Sequence, residues 1–322
     1  MSRTGMVPRE ARTVAQMLYE NVGKVKLNYR FYQGSDQYSD GDIEETLLRI
    51  VQQSDTYEDV LMRQSNWALL YHLSPIRENL LEWYDFGEGK SLLEIGAGCG
   101  GITGLFCKKC ARVVGIDLSR RRSMINAHRN KAHDNLELIV GNFSDIRIEE
   151  KFDYVTLIGV LEYSIYYIGG DSPFLDMLKK ARGYLKPGGK LIVAIENKYG
   201  IKYWAGARED HTGNIMDGIM GYPGVERVRT FSREGLEALL HEAGFAELDF
   251  YYPLPDYKLP TEVYSERRLP KVYPFVGNTP NYDRDRFDFF DEAKAMNELI
   301  REGKFEMFAN SFLVFCGGGA RQ

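Results

Sequence analysis

The stretch Leu92-Leu93-Glu94-Ile95-Gly96-Ala97-Gly98-Cys99-Gly100-Gly101-Ile102-Thr103 constrains this chain more than any other. A short apolar run ends at an acidic residue, enters a loop with glycine at nearly every second position, and opens into an apolar helix. Glycines at that spacing let the backbone turn sharply and let a ligand approach closer than a side chain would permit. After Lys90 the pattern alternates between strands and helices, the mark of a parallel sheet covered on both faces. Strands are expected over residues 91–95, 113–117, 136–140, 154–158 and 190–196, with helices near 101–109, 120–131 and 174–185. Thr230-Phe231-Ser232-Arg233-Glu234 caps a further helix through Leu236, Leu239 and Leu240, and Gly244 ends it. Residues 246–252 and 311–316 read as a sixth and a seventh strand, which makes 253–309 an insertion between them. A structureless loop of that length is improbable, so the insertion should carry structure and a purpose.

The fold expected is therefore α/β, with a Rossmann-like, seven-stranded, mostly parallel sheet. Residues 1–73 form an accessory, mainly helical segment, and residues 74–322 the main domain. Within 1–73, residues 11–20 have helical spacing and Val25, Leu27, Tyr29 and Phe31 alternate as in a strand. Asp42 with Glu45 resembles a capping box that starts a helix through Ile43, Leu47, Leu48 and Val51. A helical stretch follows through Val60, Leu61, Trp67, Leu70 and Tyr71. Ser74-Pro75 then starts another through Ile76, Leu80, Leu81 and Tyr84.

Composition removes several function classes. The 322 residues carry a formal charge of −5, which argues against a nucleic-acid surface. Cys107 and Cys110 form a CxxC with no second pair and no histidines at zinc-like spacing, so no metal site is expected. Arg3, Arg9, Glu10 and Arg12 interrupt any leader-like apolar core, and no apolar run is long enough to span a membrane. The compartment expected is the cytoplasm; oligomeric state is not legible.

The glycine loop fits two ligand classes. Gly96, Gly98 and Gly101 satisfy G-x-G-x-x-G, and Asp117 stands about 20 residues on, as in a dinucleotide fold. Glu94 decides against that class. A carboxylate at the strand end repels a pyrophosphate but suits the ammonium and sulfonium of S-adenosyl-L-methionine.

On these residues the chain resembles the class I S-adenosylmethionine-dependent methyltransferases, over roughly residues 91–252. The resemblance implies that Glu94, Ile95, Gly96, Ala97, Gly98 and Gly100 form the first cofactor motif. Asp117 and Leu118, in Val114-Gly115-Ile116-Asp117-Leu118-Ser119, are similar to the motif whose acid bonds both ribose hydroxyls. Asn142 and Phe143 resemble the adenine-holding element, with asparagine where aspartate is more usual. Gly159 and Val160 belong to a stretch similar to the motif beside the transferring methyl group. Leu185-Lys186-Pro187-Gly188-Gly189 resembles the turn before the fifth strand. The family's topology implies that strand seven runs antiparallel, so that segments 197–230 and 253–309 cover the cofactor face.

The acceptor is expected under those segments. His211 is the leading general base, because its ordinary pKa lies near neutrality. Asp210 or Glu209 would orient it or act itself, and Glu162 competes as base or substrate ligand. Tyr71, Arg77, Tyr163, Asn197, Tyr199 and Glu209 are candidates for substrate or lid contacts. Short phrases such as Ile195-Glu196-Asn197-Lys198-Tyr199-Gly200 and Ala205-Gly206-Ala207-Arg208-Glu209-Asp210-His211-Thr212-Gly213 resemble methyltransferase domains of bacterial surface-polysaccharide synthesis, alone or joined to glycosyltransferases. That resemblance implies a sugar hydroxyl as acceptor, glycan or small-molecule substrates and glycosyltransferase neighbours. Methylation of a small amine or peptide, a nucleotide-dependent oxidoreductase and a non-catalytic cofactor-binding subunit stay open as alternatives.

Overall fold

The computed structural model describes residues 18–36, 41–64, 66–224, 228–281 and 284–318. Ten strands run in chain order: β1 (Tyr19–Val22), β2 (Val25–Phe31), β3 (Ser91–Ile95), β4 (Arg112–Asp117), β5 (Leu136–Gly141), β6 (Phe152–Ile158), β7 (Leu185–Glu196), β8 (Glu247–Leu254), β9 (Glu262–Ser265) and β10 (Ser311–Gly317). They form one sheet in the order β1-β2-β5-β4-β3-β6-β7-β10-β8-β9. Strands β2, β5, β4, β3, β6 and β7 pair in parallel. Strand β10 lies antiparallel between β7 and β8. The central seven follow the topology expected, but the sheet has ten strands rather than seven.

The three additional strands close the two edges, where unpaired backbone groups would otherwise face outward. Strand β2 buries Val25 and Leu27 beside β5, and β1 folds back on it. At the far edge β9, inside the 253–309 insertion, pairs with β8. The helix expected over 11–20 falls mostly outside the described residues, and its last residues belong to β1.

The central strands alternate between two apolar layers, as a sheet covered on both faces requires. Leu93, Ile95, Val114, Ile116, Val155, Leu157, Val193 and Ile195 face one core. Leu92, Val113, Leu138, Val140, Ile192, Ala194 and Leu313 face the other. Each of the valines, leucines and isoleucines contributes about 1.5–3 kcal/mol by leaving water. A third cluster joins the N-terminal segment to the glycine loop: Leu47, Val51, Leu69 and Leu73 pack with Cys99 and Ile125.

Two local expectations change. The capping box at Asp42 does not form: Asp42 has helical dihedrals and its side chain caps nothing. The helix Ile43–Gln53 is held by its buried stripe instead, consistent with packing outweighing local signals in short helices. After Ser74, whose hydroxyl accepts from the Ile76 N–H, the chain makes a six-residue 3-10 turn, Pro75–Leu80, rather than an α-helix. Ile76 is partly exposed at the cavity, while Leu80 and Leu81 are buried.

All parallel strands of the centre end on one side. Segment 197–230 departs there from β7. Because β10 is antiparallel and starts with Ser311 opposite Glu196, the 253–309 insertion returns there too.

Candidate active site

A cavity of about 700 Å³ opens outside the carboxyl ends of these strands, where ligands of open α/β sheets bind. Its volume is in the range of small-molecule sites. The glycine loop forms one half. Gly96 and Gly98 have φ of 74° and 52°, the left-handed region that disfavours side chains. A Cβ at Gly96 would stand 2.4 Å from Val160 Cγ2, so the loop also needs glycine for space. Asp117 ends β4 and is held by two backbone bonds, accepting from Gly98 N–H at 2.8 Å and Ser119 N–H at 2.9 Å. Glu94 is buried and accepts from the Thr103 hydroxyl at 2.6 Å. Burial pushes its carboxyl up to about 8, against the opposing pull of Thr103 and Arg77.

Of the residues expected to hold the cofactor, Glu94, Ile95, Gly96, Ala97, Gly98, Asp117, Leu118, Asn142, Phe143, Gly159 and Val160 line this cavity. Gly100 does not. A Cβ there would meet Asn126 Oδ1 at 2.6 Å, so that glycine serves the packing of the helix Arg120–Arg129. The Asn142 oxygen accepts from Ser144 N–H at 2.9 Å, so the adenine contact expected of it competes with a turn bond.

The other half is a charged cluster drawn from the covering segments. His211 Nδ1 lies 3.0 Å from Glu209 Oε1, and its Nε2 lies 3.8 Å from Glu162 Oε1. Glu209 also accepts from the N–H groups of His211 and Thr212 and from the Tyr222 hydroxyl. Glu209, rather than Asp210, therefore orients the imidazole. Asp210 points to cations and a phenol: Lys202 at 2.8 Å, Lys258 at 3.1 Å and Tyr203 at 2.9 Å. Burial alone would raise its carboxyl, but Lys202 and Lys258 hold it well below the usual range, which makes it a weak base. Burial raises the Glu162 carboxyl. Burial would lower His211, yet the Glu196, Glu162 and Glu209 carboxylates raise it well above its ordinary value.

Tyr71, Arg77 and Tyr163 line the cavity; Asn197, Tyr199 and Glu209 do not. Arg77 stacks 4.1 Å from the Tyr71 ring centroid and donates to the Lys258 carbonyl at 3.2 Å, tying the turn before the glycine loop to the insertion. Asn197 is a clamp: its amide donates to the Met307 and Ala309 carbonyls, both at 2.8 Å, and its oxygen accepts from Tyr199 N–H. Glu196, Lys202, Tyr257 and Lys258 also line the cavity, and neither lysine was among the sequence-based candidates. Lys258 Nζ and the Tyr257 hydroxyl both donate to Glu196 Oε1. The Glu196-Asn197-Lys198-Tyr199 phrase signalled polar density, but only folding joins it to residues 257 and 258. Cys107 and Cys110 are buried free thiols away from the cavity.

The family described as "Methyltransferase domain" matches residues 93–191. This part of the chain is a methyltransferase domain. Its cofactor is S-adenosyl-L-methionine, and the glycine cradle, Glu94 and Asp117 fit that group. Among curated relatives, the ubiquinone biosynthesis O-methyltransferase of Coxiella burnetii is 29% identical over 149 residues, covering 45% of this chain and 60% of the relative. The malonyl-[acyl-carrier protein] O-methyltransferase of Priestia megaterium is 30% identical over 117 residues, 35% of this chain and 39% of the relative. The chain thus spans less than two thirds of the length of these relatives. A solved structure of a possible histamine N-methyltransferase from Thermotoga maritima aligns with a TM-score of 0.46 and 18% identity, over 84% of this chain and 99% of that one. Among the described residues no helix is long and apolar enough to cross a membrane.

Proposed function

We propose that the whole chain is an S-adenosylmethionine-dependent O-methyltransferase acting on a hydroxyl of a sugar, glycan or other small metabolite. The observation that carries this reading is the single cavity that runs from the glycine loop to Glu162 and His211. When bound, the cofactor supplies a methyl group on a cationic sulfonium. Glu94, the Gly96–Gly98 cradle and Asp117 would hold it, and the covering segments would exclude water from the acceptor.

A hydroxyl acceptor must lose a proton as it is methylated. The surrounding carboxylates raise the His211 imidazole, which makes it a weak proton acceptor, so Glu162, whose basicity burial increases, takes that proton. His211, fixed by Glu209, steadies the carboxylate that Glu162 presents. The polysaccharide-related phrases support a sugar hydroxyl and glycosyltransferase neighbours. The charged cluster also suits an amine acceptor, which needs less help from a base.

A labelled-methyl assay against cell extract fractionated into glycan, lipid, protein, RNA and small molecules tests the acceptor. Label in the glycan or small-molecule fraction is expected. With a hydroxyl acceptor, Glu162→Gln should lower kcat about 100-fold or more, the range of general acid–base catalysis, while cofactor affinity stays within about twofold. Near-normal turnover would refute the Glu162 role. Label confined to protein or RNA would refute the acceptor class.

A further inference from the structure

The charged half of the cavity also brings three potential metal ligands together. Glu162, Glu196 and His211 each offer one ligand atom within 4.8 Å of the others, although they come from separate segments of the chain. That spread is close to twice a metal–ligand bond of about 2.2 Å. Both carboxylates are essentially without solvent exposure. Glu162 Oε2 and Glu196 Oε2 are buried oxygens without a hydrogen-bond partner. Buried carboxylate oxygens left so are costly, and their usual remedies are a hydrogen bond or a bound cation.

Two members of the triad are already held through their other atom. Glu209 Oε1 faces His211 Nδ1 at 3.0 Å, which leaves Nε2 turned toward the carboxylates. A carboxylate on the far nitrogen is the usual support of a metal-binding imidazole. The Tyr257 hydroxyl and Lys258 fix Glu196 through Oε1 and leave Oε2. The charge balance agrees. Within the cluster five carboxylates, Glu162, Glu196, Glu209, Asp210 and Asp256, meet two ammonium groups, Lys202 and Lys258, besides the His211 imidazole.

We propose that Glu162, Glu196 and His211 form a binding site for one divalent transition-metal ion at the acceptor end of the cavity. Two carboxylates and one imidazole suit Mn²⁺, Fe²⁺ or Zn²⁺ better than Mg²⁺ or Ca²⁺, which prefer all-oxygen sets. Three protein ligands leave positions open toward the cavity, where an acceptor oxygen would bind. The inference rests on the same site as the proposed methyl transfer, but it concerns ion binding alone.

The test is calorimetric titration of chelator-treated protein with Mn²⁺, with Mn²⁺ electron paramagnetic resonance on the same samples. One ion per chain is expected for the wild type. Glu162→Gln and Glu196→Gln should each weaken binding at least tenfold, since even supporting groups of a metal site contribute 10–100-fold. The surface variant His241→Ala should bind as the wild type does. S-adenosylhomocysteine titration of every variant establishes that the glycine-loop half is folded. If Glu196→Gln loses its fold along with the Lys258 contact, Glu162→Gln alone decides. Absence of Mn²⁺ binding by the wild type, or unchanged affinity in the glutamine variants, overturns the inference. Methyl transfer by protein that binds no ion would overturn it and leave the proposed function standing. Ion binding at this triad without methyl transfer to any fraction would sustain it and count against the proposed function.

Discussion

Replacing Glu94 by glutamine should make the protein more stable and its cofactor site worse. The Glu94 carboxyl rises from 4.5 to about 8 on folding, chiefly through burial. The folded chain then holds this proton more tightly than the unfolded one, so Glu94 favours folding at low pH. That preference is lost as pH rises from 4.5 to 8. At pH 7 the accumulated loss is about 3 kcal/mol, from 1.36 kcal/mol per unit over the interval already crossed. The glutamine of E94Q would keep the bond from the Thr103 hydroxyl, now 2.6 Å from Glu94 Oε2, and would carry no titrating proton. Burying its amide costs roughly 1 kcal/mol, which leaves a net gain of about 2 kcal/mol. For a chain of this size the melting temperature should rise by about 4 °C at pH 7 and by less at pH 5.

Binding should move the other way. A cation approaching Glu94 favours its ionised form, so S-adenosylmethionine binding at pH 7 should release up to one proton. Loss of a charge-assisted contact of about 1.5–3 kcal/mol should weaken binding about 10- to 100-fold in E94Q. Thermal melts from pH 5 to 8, and calorimetry in buffers of different ionisation enthalpy, measure both effects. Parallel melting curves for wild type and E94Q, with equal proton release, would falsify the claim that Glu94 is a buried acid facing the cationic end of the cofactor.

Two further substitutions separate binding from scaffolding. Gly96→Ala combines a φ of 74° with a Cβ 2.4 Å from Val160 Cγ2. The strain of about 1–3 kcal/mol should weaken S-adenosylhomocysteine about 5- to 150-fold by calorimetry, and affinity within twofold of the wild type would refute the cradle. Asn197→Ala removes the amide that satisfies the Met307 and Ala309 carbonyls. With about 1–3 kcal/mol lost per orphaned buried group, its melting temperature should fall by several degrees while cofactor affinity holds. Loss of acceptor turnover at an unchanged melting temperature would instead return Asn197 to the substrate site.

The order of residues is enough to place the central strands, the glycine loop and the nature of the donor site. Those signals are local: apolar runs at strand spacing, glycines where a side chain cannot fit, and Glu94 and Asp117 at strand ends. A local signal survives reading one residue after another. It failed where tertiary packing overrides propensity, as at the Asp42 cap that never forms and the short turn after Ser74. It also failed at the sheet edges, since whether Val25–Phe31 joins the main sheet depends on the open flank of β5.

The acceptor half exists only in the folded chain. Asn197 and Glu196 are neighbours in sequence, yet on folding one clamps the insertion and the other faces the cavity. Asp210 and Glu209 looked interchangeable as supports for His211. The buried amines of Lys202 and Lys258 claim Asp210, and Glu209 is left to hold the imidazole. Such choices depend on which charges the folded chain buries within about 3 Å of one another, and Coulomb energies there change by several kcal/mol over distances that sequence spacing does not encode.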